Sequence, residues 1–157
     1  MEDNKALSPV EQNLQKIDVT KLVEYTRKIK DIGSLNKMMA PSYLRDFIIA
    51  YDICGSMLAM AVRYDLDAST ELETAKAIAY LDNAGEYLKN KGIKESSAAR
   101  ERYVAIDATV ITASNTKAKT TALVMLLKNK LQDFRMAHDD VKKMVYSDEY
   151  QTNNEGF

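Results

Sequence analysis

Two stretches concentrate the side chains that could do chemistry. The first is Lys89-Asn90-Lys91-Gly92-Ile93-Lys94, followed by Arg100-Glu101-Arg102-Tyr103. Cations at a helix end and turn can hold successive phosphates while a base stacks on Tyr103. A helix starting at Ser96 or Ser97 would add free backbone N–H groups. The same residues also suit purely structural roles: lysines at a helix C-terminus oppose its dipole, Arg100 can pair with Glu101 or Asp107 of a neighbouring element, and Tyr103 can sit in a core. The second stretch is His138-Asp139-Asp140, which holds the chain's single histidine. Adjacent residues of a helix point in different directions, and the position one turn on from His138 is Lys142. The expectation is therefore no metal site and no acid–base pair, with His138 solvated or on a packing seam. Gly33, Gly55, Gly85, Gly92 and Gly156 are scattered singly and make no phosphate loop. These residues predict a protein that is not an enzyme and holds no cofactor.

The elements that must position these residues read as helices throughout. With Gly 5 and Pro 2 in 157 residues, the chain has few turn formers, hence few turns and long helices. Residues 1 to about 17 show no sustained apolar period and are expected to form a mobile arm. Asp18 or Thr20 can cap a helix running to about Lys37, with Val19, Leu22, Val23, Thr26 and Ile29 on one face. Pro41 marks a boundary and Ser42 can cap a second helix, apolar from Phe47 to Val62 except for Asp52 and a few small residues. Its uninterrupted apolar run is short of the ~20 residues a bilayer needs, and Asp52 would cost about 2.5–3.5 kcal/mol there, so a buried helix is expected and no membrane contact. Asp67-Ala68-Ser69-Thr70 should break that helix, and a third should run from Ser69 or Thr70 to Lys91 before Gly92. A short helix through Arg100 and Tyr103 follows.

The last element is the longest. From Asp107 to about Tyr146, Ile106, Val110, Ala113, Val124, Leu127, Leu131, Phe134, Val141 and Val145 recur in alternating steps of three and four, the spacing of a bundle or coiled-coil seam. Lys117, Thr120 and His138 interrupt it with polar residues that restrict register and partner number. A helix of this length spans about 60 Å, more than one compact monomer can bury. Val124, Leu127, Leu131, Phe134 and Val141 are therefore expected to face another copy of the chain. Ser147 to Phe157 is polar and acidic and is expected to be disordered.

The formal net charge of −1 conceals segregation. Tyr64 to Glu86 holds six acidic residues against Lys76, whereas Lys117 to Lys143 holds seven basic residues against three acidic ones. Local patches of this kind govern encounters with polyanions more than the total does. One cysteine, Cys54, gives no internal disulfide and no pair for a metal, and no apolar segment follows a basic start, so a reducing, cytoplasmic setting is expected.

The run Ser97-Ala98-Ala99-Arg100-Glu101-Arg102-Tyr103-Val104, with Asp107 opening a long helix that ends in Ala137-His138-Asp139-Asp140-Val141-Lys142, resembles the C-terminal half of phage recombination-mediator proteins of the UvsY type. The resemblance covers about the last sixty residues. It implies a small helical protein that forms ring-like homo-oligomers, binds single-stranded DNA and helps load a recombinase, inside an infected bacterial host. The family's Lys-x-Arg-x-x-Tyr-Tyr motif has its nearest counterpart at Met60–Asp65, where Arg63 matches, Ala61 replaces the lysine and Tyr64 is displaced. Asp65 and Asp67 follow at once and weaken phosphate attraction there. The nucleic-acid expectation thus rests on Lys89, Lys91, Lys94, Arg100, Arg102 and Tyr103, with Arg63 as an outlier.

Together these readings predict an all-α protein: an elongated helical bundle over residues 18–146 with a long coiled-coil-like C-terminal helix, oligomeric, flanked by an arm at 1–17 and a tail at 147–157. Two functions compete. One is a single-stranded-DNA-binding mediator acting as a homo-oligomer. The other is a helical oligomer that binds a protein partner or sequesters a small anionic ligand, as an inhibitor or scaffold, its basic residues pairing with the acidic stretch of another subunit.

Overall fold

The computed structural model describes residues 9–146, and the expected tail at 147–157 lies outside them. The described residues are helical with no strand: α1 Pro9–Leu14, α2 Val23–Asp31, α3 Ala40–Ile78, α4 Ala84–Asn90, α5 Ser97–Ile106 and α6 Ala108–Tyr146. The chain is all-α. It divides into two units, Met1–Lys16 with Ala61–Val124 and Ile17–Met60 with Met125–Phe157. Both long helices, α3 and α6, contribute to each.

In the second unit, Phe47, Ala50, Cys54 and Met57 recur on one face of α3, and Leu127, Phe134, Ala137 and Val141 on one face of α6. Phe47, Leu127, Phe134 and Val141 have no exposed surface at all. The two helices meet directly: Cys54 Sγ donates to the Leu127 carbonyl at 3.4 Å. At Gly55 a Cβ would lie 3.9 Å from Leu131 Cδ1, ordinary contact distance. Burial pushes the Cys54 thiol up, so it stays protonated and unreactive. Lys28 of α2 is tied to Asp46 of α3 at 2.7 Å.

This packing corrects the expectation for the seam. Leu127, Phe134 and Val141 are consumed inside a single chain, with Val124 buried and Leu131 half-buried. The spacing of an intrachain helix pair and of an intersubunit one is the same, so periodicity could not separate them. Within this unit a segment of α3 covers the α6 seam at Leu127.

In the first unit the seam of α3 is built of small residues, Ala61, Ala68 and Ala75, continued by Ala79 and Ala84. Ala75, Ala79 and Val110 form a core with Leu72, Tyr103, Val104 and Ala113 around it. A polar layer interrupts it. Lys117 Nζ lies 2.6 Å from Asp65 Oδ2, while Thr120 and Thr121 donate to Asp65 Oδ1 at 2.7 and 2.8 Å. Burial pushes the Asp65 carboxyl up, but the bonds from Lys117, Thr120 and Thr121 outweigh it and hold the pKa below the ordinary carboxylate value. Sliding α6 along α3 by one turn would strip Asp65 of these partners, so the layer fixes register.

Three local expectations are corrected. Asp67–Thr70 does not break α3: Ser69 and Thr70 donate to the carbonyls of Asp65 and Leu66, one turn back, and stay helical. Ser42 donates to the Met39 carbonyl and caps nothing; the Asn36 side chain accepts from Met38 N–H ahead of it. Part of the expected arm is structured. Val10 in α1 is buried, and Glu11 accepts from Thr116 at 3.3 Å and lies 3.5 Å from Lys119. A six-residue helix is too short to show an apolar period.

The helical run Lys37–Asn90 is long and apolar enough to cross a membrane by length and composition, and 28% of its most apolar window is buried inside the chain. Ile48, Ile49, Met60, Val62 and Leu66 leave apolar surface exposed along α3, beside exposed Asp52 and Arg63.

Candidate nucleic-acid interface

The basic stretch is shaped by two turns. Helix α4 ends where Gly92 adopts φ 64°, a backbone that a side chain would strain, and Ile93 N–H donates back to the Leu88 carbonyl at 2.9 Å. Helix α5 then begins at Ser96, whose Oγ accepts from Ala99 N–H at 3.2 Å. The two helices fold over one another and enclose a cleft of about 470 Å³ lined by Tyr87, Leu88, Ile93, Lys94, Arg102 and Tyr103, among others.

The rings of Tyr87 and Tyr103 in its walls lie 4.7 Å apart at 38°, and Lys91, not itself among the walls, has its Nζ 6.0 Å from the Tyr87 ring centre. The Tyr103 hydroxyl donates to Asp107 Oδ2 at 2.9 Å, which locks the ring in place. That bond, with burial, pushes the Tyr103 hydroxyl above its usual range. Asp107 is also the cap of α6, accepting from Thr109 N–H at 2.9 Å and Val110 N–H at 3.1 Å. The cleft therefore pairs cations, Lys94 and Arg102, with an aromatic wall braced from behind. Chemically it can accept an anion beside a flat ring system.

The expected residues separate into three groups. Lys94, Arg102 and Tyr103 line the cleft and Lys91 stands beside it. Lys89 and Arg63 are exposed but are not among its walls. Arg100 is also absent from those walls, and its side chain is engaged by other groups. The helix runs as a wider π-turn over Ala79–Asn83, displacing carbonyls from their usual partners. The Arg100 guanidinium donates to the Tyr80 carbonyl, to the Leu81 carbonyl at 3.4 Å, and to Glu95 Oε1 through Nε at 2.8 Å. Its cation also lies 5.6 Å from the Tyr80 ring centre. We expect Arg100→Ala to lower unfolding stability by about 1–3 kcal/mol, since it removes a charged donor from the part-buried Tyr80 carbonyl and from Glu95, while leaving any anion affinity of the cleft nearly unchanged. Denaturant titration read alongside binding checks both halves.

Tyr87 was missed by sequence reasoning. It lies on α4 before the turn, with ordinary helical neighbours, and only the fold brings it to Tyr103. His138 is half-buried, with Nδ1 3.3 Å from Asp139 Oδ1. Among the described residues no three His, Cys, Asp or Glu side chains stand together as metal ligands would.

The Asp107 cap gives a pH dependence. Burial pushes its carboxyl up, but the bonds from Val110, Tyr103 and Thr109 outweigh this and leave the pKa below the ordinary value. A carboxylate whose pKa falls on folding contributes stability that is fully present above its unfolded value, about 3.9, and is lost as pH drops through the folded one. Asp107→Ala should thus cost about 0.5–2 kcal/mol at neutral pH. The gap to the unaltered chain should close as pH falls below about 4. Thermal melts across that range test it; a gap independent of pH would contradict it.

No family model, curated protein or solved structure matches this chain.

Proposed function

We propose that this protein is a non-catalytic single-stranded-DNA-binding protein of the recombination-mediator kind, acting as a homo-oligomer in the cytoplasm of a phage-infected bacterium. The observation that carries the proposal is the cleft in which Lys94 and Arg102 flank the Tyr87–Tyr103 ring pair. Unpaired bases stack on aromatic side chains whatever their sequence, and the cations beside them track the backbone phosphates. A duplex hides its base faces, so this geometry favours single strands. The resemblance of the Ser97–Val104 run and the helix after it to UvsY-type mediators points the same way, and supplies the recombinase as the expected protein partner.

Self-association on this reading uses the outward apolar residues of α3, including Ile48, Met60 and Leu66, because the α6 seam is already filled. Repeating one weak cleft around an assembly raises overall affinity without new contacts. Fluorescent oligothymidine titrated into the protein at several salt concentrations, with light scattering on the same samples, tests the proposal. Binding should weaken with a slope near −0.7 per phosphate neutralised while the mass stays above that of one chain. Absence of binding at low salt, with the helical content intact, would contradict it and would favour the reading in which the cleft holds a small anion.

A further inference from the structure

A second concavity, in the unit Ile17–Met60 with Met125–Phe157, has a different chemistry. It is about 380 Å³ in volume and lies between α2, with the turn Val19–Leu22 ahead of it, and α6. Its walls combine apolar residues with cations, and on each wall the apolar residues come first along the chain. Val19, Leu22 and Val23 precede Arg27 and Lys30 along one wall, and Leu126 and Leu127 precede Lys130 along the other. No acidic residue is among its walls. Lys130 Nζ lies 3.4 Å from Asp133 Oδ2, outside the walls. Val19, Val23 and Leu126 leave apolar surface exposed to the groove although the core beneath, at Leu22 and Leu127, is closed.

We propose that this groove binds a long-chain carboxylate, an amphiphile with one anionic head and one alkyl tail. The head lies among Arg27, Lys30 and Lys130, and the tail covers Val19, Val23 and Leu126. Cations that follow the apolar residues on each wall instead of alternating with them, with no acidic residue among the lining, select this occupant. An acidic amphipathic helix would need cations spaced along the whole groove, and a nucleotide would need an aromatic wall, which the groove lacks. The site is independent of the DNA reading, shares no residue with the Tyr87–Tyr103 cleft, and stands or falls separately.

Parinarate, a fluorescent long-chain carboxylate, tests it on the full chain, with laurate, decanoate and lauryl alcohol as competitors. Saturable fluorescence enhancement displaced by laurate is expected. Burial of each methylene changes affinity about fourfold, so decanoate should displace about fifteenfold less well than laurate. The alcohol lacks the charge-assisted bonds and should be weaker by about tenfold or more. Replacing Arg27, Lys30 and Lys130 together by glutamine should cost laurate a similar factor and leave the alcohol unchanged. Leu126→Ser should weaken both, and as a change at a partly exposed site it leaves the fold intact. Equal displacement by laurate and alcohol, an unaffected glutamine variant, or no saturable signal would overturn the proposal. So would a rise in laurate affinity on deleting residues 147–157, since that would make the chain's own acidic segment the occupant.

Discussion

Phe134→Ala should be the most damaging single truncation in the chain, lowering unfolding stability by about 3–5 kcal/mol. Phe134 is fully buried in one chain, opposite a face of α3 that includes Phe47, itself fully buried. Both the lost transfer energy and the cavity left behind act in full there, because a helix pair joined by Cys54 at Leu127 cannot easily collapse. Met136→Ala, two residues on but 56% exposed, should change stability by less than about 0.5 kcal/mol. Denaturant melts at two protein concentrations decide between core and interface. If the loss for Phe134→Ala grew on dilution, α6 would be packing against a second copy; a loss independent of concentration is expected.

The second large effect concerns the cleft. Tyr87→Ala should weaken oligothymidine binding by about 1–3 kcal/mol, the usual cost of losing one stacking platform. Arg102→Ala should weaken it and also flatten its salt dependence by about 0.7 in slope, the share of one phosphate contact. Tyr103→Phe separates support from stacking. It keeps the ring but loses the bond to Asp107, so the affinity change should be small while the α6 cap weakens. A Tyr87→Ala variant that binds as well as the unaltered chain would remove the ring pair from the interface.

What could be read in the sequence, and what could not, follows from the range of the forces involved. Gly92, Ser96 and Asp107 act on backbone groups within a few residues of themselves, so their roles as stop and caps were legible. The seam of α6 was legible as a period but its partner was not, because α3 supplies an equally regular face far away in sequence. Asp65 and Lys117 are separated by intervening helices, and Tyr87 and Tyr103 sit on successive helices that only the fold over the Gly92 turn brings together, so neither pair leaves a local signal. Ser69 and Thr70 misled because their hydroxyls can either cap a helix or bond back into one, and an unbroken apolar face on both sides decides for the second. The contacts of Arg100 were hidden for a related reason. Its guanidinium serves carbonyls beside a π-turn that no sequence pattern announces.

The claim at the centre of this account is that the Tyr87–Tyr103 cleft meets a single strand directly. Photo-cross-linking of an oligonucleotide carrying iodouracil, followed by mapping of the attached peptides by mass spectrometry, tests it at the level of the residues. Attachment at Tyr87 or Tyr103, lost at high salt and lost when Lys94 and Arg102 are both replaced by alanine, is the expected result. Efficient attachment confined to other segments, such as the helix around Arg63, with the two tyrosines untouched, would contradict it.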